Sequence, residues 1–281
     1  MVSTEPDVNI TVGVLALQGA FNEHVQLLRQ AARILAAKDP IERDWTFIEV
    51  RTQVELSSCD GLIIPGGEST AISLVAQRSN MLEPLRDFVK VTRKPTWGTC
   101  AGLILLAESA NRTKKGGQEL IGGLDVRVNR NHFGRQTESF EAELDLPFLR
   151  QNESESRNPF RAIFIRAPIV EKLLPTVSGI QVGEAEVDDT VIAPSRPIDE
   201  EVAKTINLGD VEIMGTLPGR TAAIKDNDTK GKLDSVTGDI IAVRQANVFG
   251  TSFHPELTGD PRIHVWWLEQ VAEAVKQRRK A

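Results

Sequence analysis

The chain contains two cysteines, and they stand in different company. Cys100 lies in Gly98-Thr99-Cys100-Ala101-Gly102, between a strand-like stretch ending at Trp97 and an apolar run that starts at Leu103. G-x-C-x-G is the thiol counterpart of the G-x-S-x-G nucleophile elbow, in which a sharp strand-to-helix turn strains the nucleophile and exposes its side chain. The flanking glycines leave room for close approach. A helix beginning directly after the cysteine brings partial positive charge to the sulfur and favours thiolate. The Ala101 N–H then points at a developing oxyanion. The competing reading of the pentapeptide is a buried structural cysteine, since cysteine also behaves as a small hydrophobe. Cys59, just before Asp60-Gly61, is read in that second way, as a small residue entering a strand.

A nucleophilic thiol needs a base, and the base needs an orienting group. Of the four histidines, His24, His132, His254 and His264, one has a partner nearby in sequence: Ser252-Phe253-His254-Pro255-Glu256. Pro255 disfavours a helical conformation at His254, so the stretch is predicted to be extended, with His254 and Glu256 on the same side. In isolation the motif also fits a surface-loop histidine; beside a cysteine elbow it reads as a base and its carboxylate. His24 and His264 fall within helical patterns and are read as helix-surface or packing residues. No spacing calls for a metal site. A third corner, Pro65-Gly66-Gly67-Glu68-Ser69, has paired glycines that leave backbone N–H groups accessible, as an oxyanion hole requires, or it forms a plain strand-to-helix turn. Glu68 either meets a cationic group on a substrate or serves as a first-turn helix acid.

These corners need elements to hold them. Ile10 to Leu17 reads as a buried strand ending at Gln18-Gly19, and Phe21 to Ala37 carries apolar residues at helical spacing. Leu62 to Ile64 and Pro95 to Trp97 are further short strands, with helices predicted from Ser69 or Thr70 and from Leu103. Alternating strands and helices imply a parallel sheet covered on both faces, with ligands at the carboxyl ends of the strands, where all three corners lie. The second half is richer in strands: Phe140 to Leu144, Ala162 to Arg166, Ile240 to Gln245 and Val248 to Phe253. The last two are joined by a hairpin turn at Ala246-Asn247. Residues 183–239 lack aromatic residues and are polar, so they are expected to form a surface insertion within a single domain spanning 1–281. Pro261 to Lys280 reads as a closing helix.

Composition bounds the function. At 281 residues and a formal net charge of -6, with no dense basic stripe, a nucleic-acid partner is not expected. The polar start, MVSTEPDVN, has no signal-peptide pattern, and no apolar run is long enough for a membrane span. Two cysteines in dissimilar settings point to a reducing, cytoplasmic location.

Taken together, the elbow, the P-G-G-E-S turn and the H-P-E resemble the triad (class I) glutamine amidotransferases. The stretches LALQGAFNEHVQLL, GLIIPGGEST, GTCAGLILLA, HFGRQTESFEAEL, FIRAP and SFHPELTGD are similar, within that family, to the glutaminase subunits of pyridoxal 5'-phosphate synthases. They span nearly the whole chain outside 183–239. The resemblance implies an α/β fold, a three-layer, doubly wound, mostly parallel sheet of flavodoxin-like type. It implies that Cys100 attacks the side-chain amide of L-glutamine, with His254 and Glu256 completing the triad. Gly67 and Ala101 would form the oxyanion hole, and Glu68, Ser69, Arg135, Gln136, Phe164 and Ile165 would form or border the glutamine pocket. No cofactor is implied. Ammonia would pass to a (β/α)₈-barrel synthase subunit within a large hetero-oligomer, and Gln18 would help order the oxyanion region when that partner docks.

Two stretches depart from compact bacterial relatives: 183–239 is longer, as in eukaryotic, fungal versions, and the chain between Ala37 and Phe47 is slightly extended. Other readings remain open. They are a triad amidotransferase serving another synthase, a related γ-glutamyl hydrolase, and an idle regulatory subunit, which would be expected to have lost one of the three triad residues.

Overall fold

A computed structural model describes residues 9–38, 43–111, 118–130, 139–150, 158–177, 179–218 and 238–280. The first part of the chain runs β1 (Ile10–Leu15), α1 (Phe21–Lys38), β2 (Trp45–Val50), α2 (Gln53–Ser58), β3 (Gly61–Ile64), α3 (Ser69–Arg78), α4 (Leu82–Arg86), β4 (Thr96–Thr99), α5 (Ala101–Leu106). It continues through β5 (Ala107–Asn111), β6 (Leu124–Asn129), β7 (Ser139–Leu144), β8 (Phe160–Ile165) and β9 (Ile169–Leu173). Then come α6 (Val182–Ala185), β10 (Thr190–Ile192), α7 (Glu200–Thr205), β11 (Glu212–Pro218), β12 (Gly238–Gln245), β13 (Val248–Thr251) and α8 (Arg262–Lys280).

One sheet of 11 strands organises the molecule, in the order β10-β5-β6-β9-β12-β13-β4-β3-β1-β2, with β11 pairing to β12. From β13 to β2 every pairing is parallel. Antiparallel pairs enter beyond β13, where β12 turns back through the predicted hairpin at Ala246-Asn247. β1, β3, β4 and β13 are buried almost throughout, which explains why they read as continuous apolar runs rather than alternating ones. The sheet is covered on both faces. One apolar cluster gathers α1, α8 and the separate β7–β8 ribbon, and the other gathers the helices from α2 to α5.

Two expectations differ from the structure. The helix predicted from Leu103 ends at Leu106, and the chain passes directly into β5. Leu103 to Ala110 is buried on all sides, so periodicity could not separate helix from strand there. The stretch 183–239 is more than a surface excursion: β10 closes one edge of the sheet against β5, and β11 pairs along β12. Val191, Val211 and Leu217 are buried. Glu184 of α6 is buried too, its carboxylate accepting from Arg127 at 2.6 Å and from Ser109 at 2.9 Å. Short strands of mixed polarity give little sequence signal, and so they were missed. Residues 219–237 of that stretch, and 39–42 of the other extension, lie outside the described residues.

Candidate active site

β4 lies between β3 and β13 in the parallel half of the sheet, and Cys100 is the first residue beyond it. Its backbone has φ 47 and ψ -98, a strained conformation for a residue with a side chain. Its N–H donates to the Thr251 carbonyl at 2.8 Å, tying the corner to the end of β13. The close approach expected at the glycines is that of backbone to backbone. A Cβ at Gly98 would collide with the Gly102 backbone, and a Cβ at Gly102 would collide with the Ile64 carbonyl. They bring α5 down onto β3 and β4. At six residues α5 is short, so what it offers an oxyanion is the first-turn N–H of Ala101, which has no acceptor within its own helix.

The imidazole of His254 arrives along the neighbouring strand. β13 runs parallel to β4 with Thr251 opposite Thr99, so the chain leaving β13 passes the cysteine. His254 donates its backbone N–H to the Ile163 carbonyl at 2.8 Å, which sets its imidazole near enough to the Cys100 sulfur to feel its charge. The segment after it is not extended as predicted: Pro255–Leu257 form a 3₁₀ turn. Proline's fixed φ suits the first position of such a turn, and the turn swings Glu256 back so that its Oε1 lies 2.7 Å from His254 Nδ1. Burial alone would lower the His254 imidazole, but the Cys100 sulfur and the Glu256 carboxylate more than offset it and push it up to about 10. Burial likewise works to raise the Glu256 carboxyl, but the imidazoles of His24 and His254 hold it below the usual carboxylate range.

Gly66 packs edge-on to this imidazole, and a Cβ there would strike it. Gln18 reaches the same loop from the end of β1: its Oε1 accepts the Glu68 N–H at 3.0 Å and occupies the space a Gly67 side chain would need. Glu68 caps α3, its carboxylate accepting from the Thr70 and Ala71 N–H groups. The Ser69 hydroxyl accepts from Arg130 at 2.8 Å. The Ile165 carbonyl lies 3.9 Å from the Cys100 sulfur. The Phe164 ring is fully buried and stacked on Phe140 at 4.7 Å, so any part it has in binding comes through its backbone. Arg135 and Gln136 lie outside the described residues. Among the described residues, no group of three or more histidine, cysteine or carboxylate side chains is arranged to hold a metal ion.

Sequence reasoning missed three neighbours of the site. Arg130 also reaches the Thr70 hydroxyl at 3.1 Å, and its guanidinium comes within 4.0 Å of Glu68. His24 and His264, read as helix-surface or packing residues, are fully buried and in contact with each other, with His24 facing Glu256. An amphipathic pattern does not mark a histidine on the buried face as polar machinery, so no local signal was available for either.

Known proteins show the same arrangement of sequence. The profile of the SNO glutamine amidotransferase family matches residues 14–197 and 203–273. An Arabidopsis thaliana protein, "Probable pyridoxal 5'-phosphate synthase subunit PDX2", is 39% identical over 264 residues, covering 94% of this chain and 87% of its own. "Pyridoxal 5'-phosphate synthase subunit PdxT" of Streptomyces avermitilis is 38% identical, covering 92% of this chain and 93% of its own. A crystal structure of a glutamine amidotransferase is similar at a TM-score of 0.59 and 32% identity, covering 93% of this chain and 98% of its own.

Proposed function

The chain belongs to the SNO glutamine amidotransferase family, and from that membership we propose that it is the glutamine-hydrolysing subunit of a pyridoxal 5'-phosphate synthase. The observation that carries the reading is the meeting of a cysteine at φ 47 with an imidazole whose Nδ1 is 2.7 Å from a buried carboxylate. In this reading the Cys100 sulfur attacks the side-chain carbonyl carbon of L-glutamine, and the charge that develops on oxygen meets the N–H groups of Ala101 and Gly67. His254 gives its proton to the departing nitrogen as the carbon–nitrogen bond breaks, which leaves a γ-glutamyl thioester and ammonia. A water molecule loses a proton to His254 and attacks the thioester; glutamate leaves and the thiolate returns. Glu256 keeps the imidazole aimed and balances its positive charge.

Ammonia released into neutral water would be protonated and lost as a nucleophile, which supports direct delivery to a synthase subunit. That partner is proposed to be a (β/α)₈ barrel in a large hetero-oligomer, in a reducing cytoplasmic setting. Among the described residues, no helix is long and apolar enough to cross a membrane. The test is to co-express the chain with a synthase subunit and follow amide nitrogen from ¹⁵N-labelled glutamine. Label in the pyridine ring of the product is expected. Hydrolysis without incorporation would assign the enzyme to another synthase, and no hydrolysis by the complex would overturn the activity.

A further inference from the structure

We propose that His24 is a positioning residue of the active site: its Nε2, hydrogen-bonded to the Thr99 hydroxyl, also faces Glu256 Oε2, the carboxylate oxygen that His254 does not use. The inference rests on Glu256 being the orienting carboxylate of the triad. Glu256 is 4% exposed, and while Oε1 takes the His254 imidazole, Oε2 has no hydrogen-bond partner. A buried anionic oxygen left without a donor is unfavourable. The group facing it is His24 Nε2, at 3.5 Å. That separation is long for a hydrogen bond and short enough for strong attraction between a carboxylate and an N–H dipole at a site shielded from water.

The tautomer follows from the partners. His24 Nδ1 lies 3.0 Å from His264 Nε2, and His24 Nε2 lies 3.3 Å from the Thr99 hydroxyl. Burial pushes both imidazoles down to about 3, against the pull of the Glu256 carboxylate on His24, so each is neutral with a single N–H. A proton on His24 Nδ1 would leave Nε2 to accept from the Thr99 hydroxyl, with no donor facing the carboxylate. It would also make His264 Nε2 the acceptor, leaving a buried His264 Nδ1–H with no partner, since Nδ1 meets none. A proton on His24 Nε2 sets a donor between the Thr99 hydroxyl and the carboxylate and lets Nδ1 accept from His264 Nε2–H. Only one lone pair is then left bare, and bare acceptors are tolerated better than orphaned donors. The charged groups facing His24 are Glu256 and His254 from the segment after β13; α8 adds the neutral His264, and β4 adds neutral Thr99 and Trp97. Donors are thus aligned from α8 through α1 to the carboxylate, and from there to the imidazole beside Cys100.

Two polar substitutions separate this role from simple packing. Glutamine in place of histidine sets its amide nitrogen near the Nε2 position, whereas asparagine reaches only as far as Nδ1. His24→Gln therefore keeps the donor toward Glu256, and His24→Asn keeps only the contact with His264. The measurements are kcat and KM for glutamine in the complex with the synthase subunit, and the pH profile of Cys100 alkylation by iodoacetamide in the absence of glutamine. His24→Gln is expected to stay within about threefold of wild type in kcat, and His24→Asn to lose about tenfold or more, with KM within about twofold. The acid limb of alkylation should move by at least about half a pH unit in His24→Asn alone. Equal kcat and equal alkylation profiles in the two variants, whether both normal or both impaired, would overturn the proposal. Alkylation needs no glutamine, so a wild-type complex that alkylates normally but hydrolyses nothing would sink the proposed function while leaving this test readable.

Discussion

The two cysteines differ in what surrounds the sulfur. Cys59 is fully buried, its thiol donates to the Glu55 carbonyl at 3.2 Å, and burial pushes its pKa up to about 12, so it is inert as a nucleophile. Cys100 faces an imidazole instead. A glutamine-mimicking diazo-ketone is expected to label Cys100 alone, and mass spectrometry of the labelled peptides reads this directly. Cys100→Ala should lose at least about 10²-fold in hydrolysis with the fold intact, and Cys59→Ala should keep most activity. The histidines set the pH dependence of stability. His24 and His264 have an ordinary value of 6.5 and fall to about 3 when folded, so the stability they lend is complete above 6.5 and is lost as pH falls toward 3. His254 runs the other way: it rises to about 10, so its contribution is present below 6.5 and lost as pH climbs toward 10. Urea unfolding from about pH 6.5 down to about pH 5 should therefore show a steep loss, on the order of 1 kcal/mol per pH unit for each buried neutral histidine. His264→Leu should flatten that slope; an unchanged slope would show that His264 is not the group taking up the proton.

At the scale of elements, the site depends on how closely α5 sits against the sheet. Gly102→Ala would drive a methyl group into the Ile64 carbonyl, so α5 must lift and carry the Ala101 N–H with it. The expected result is destabilisation of about 1–3 kcal/mol or more, with a larger fall in kcat than in affinity-label binding. A melt combined with glutaminase kinetics checks both. The remote edge of the sheet tests a different element. Glu184 of α6 holds Arg127 at 2.6 Å and Lys172 at 3.2 Å. Glu184→Ala takes the nearer of two carboxylates from Arg127, leaving it Glu171 at 3.3 Å, and should destabilise by about 1.5–3 kcal/mol. Limited proteolysis should then open the chain between α6 and α7, while glutamine hydrolysis by intact protein persists. Loss of hydrolysis with the edge still protected would mean that this edge is coupled to the site.

For the molecule as a whole, the question is what keeps glutamine from being consumed when no synthase can use the ammonia. The Gly66-Gly67 loop has the backbone freedom to turn its N–H groups toward the oxyanion or away from it, and it is braced by Gln18 at the end of β1. A partner that docks near Gln18 and binds one loop state better shifts the population by that difference in affinity. The isolated chain is therefore expected to hydrolyse glutamine far more slowly than the complex, and Gln18→Ala to reduce the activation while leaving binding intact. Measurements of kcat/KM with and without the synthase subunit, for wild type and Gln18→Ala, decide it: equal values for the wild type would remove the switch, and full activation of the variant would remove Gln18 from it.

The corner at Cys100, the Pro65-Gly66-Gly67 corner and the pairing of His254 with Glu256, though not the turn that makes it, were legible because each is a contiguous stretch whose backbone demands particular residue types. A positive φ, a close approach and a fixed proline φ leave their mark in neighbouring positions. The alternation of buried strands with amphipathic helices was legible for the same reason, since its periods are local. What the chain does around those motifs was not written locally. His24 and His264 meet across 240 positions of sequence, and only the packing of α1 and α8 on one face of the sheet brings them behind Glu256. The same holds for Arg130 beside Ser69, and for β10, whose partner β5 lies on a distant segment. Contacts of that range are decided by register and by which helix lies on which face. Burying a polar group among distant neighbours leaves no periodicity of its own, so tertiary structure alone brought two ordinary-looking histidines together behind Glu256.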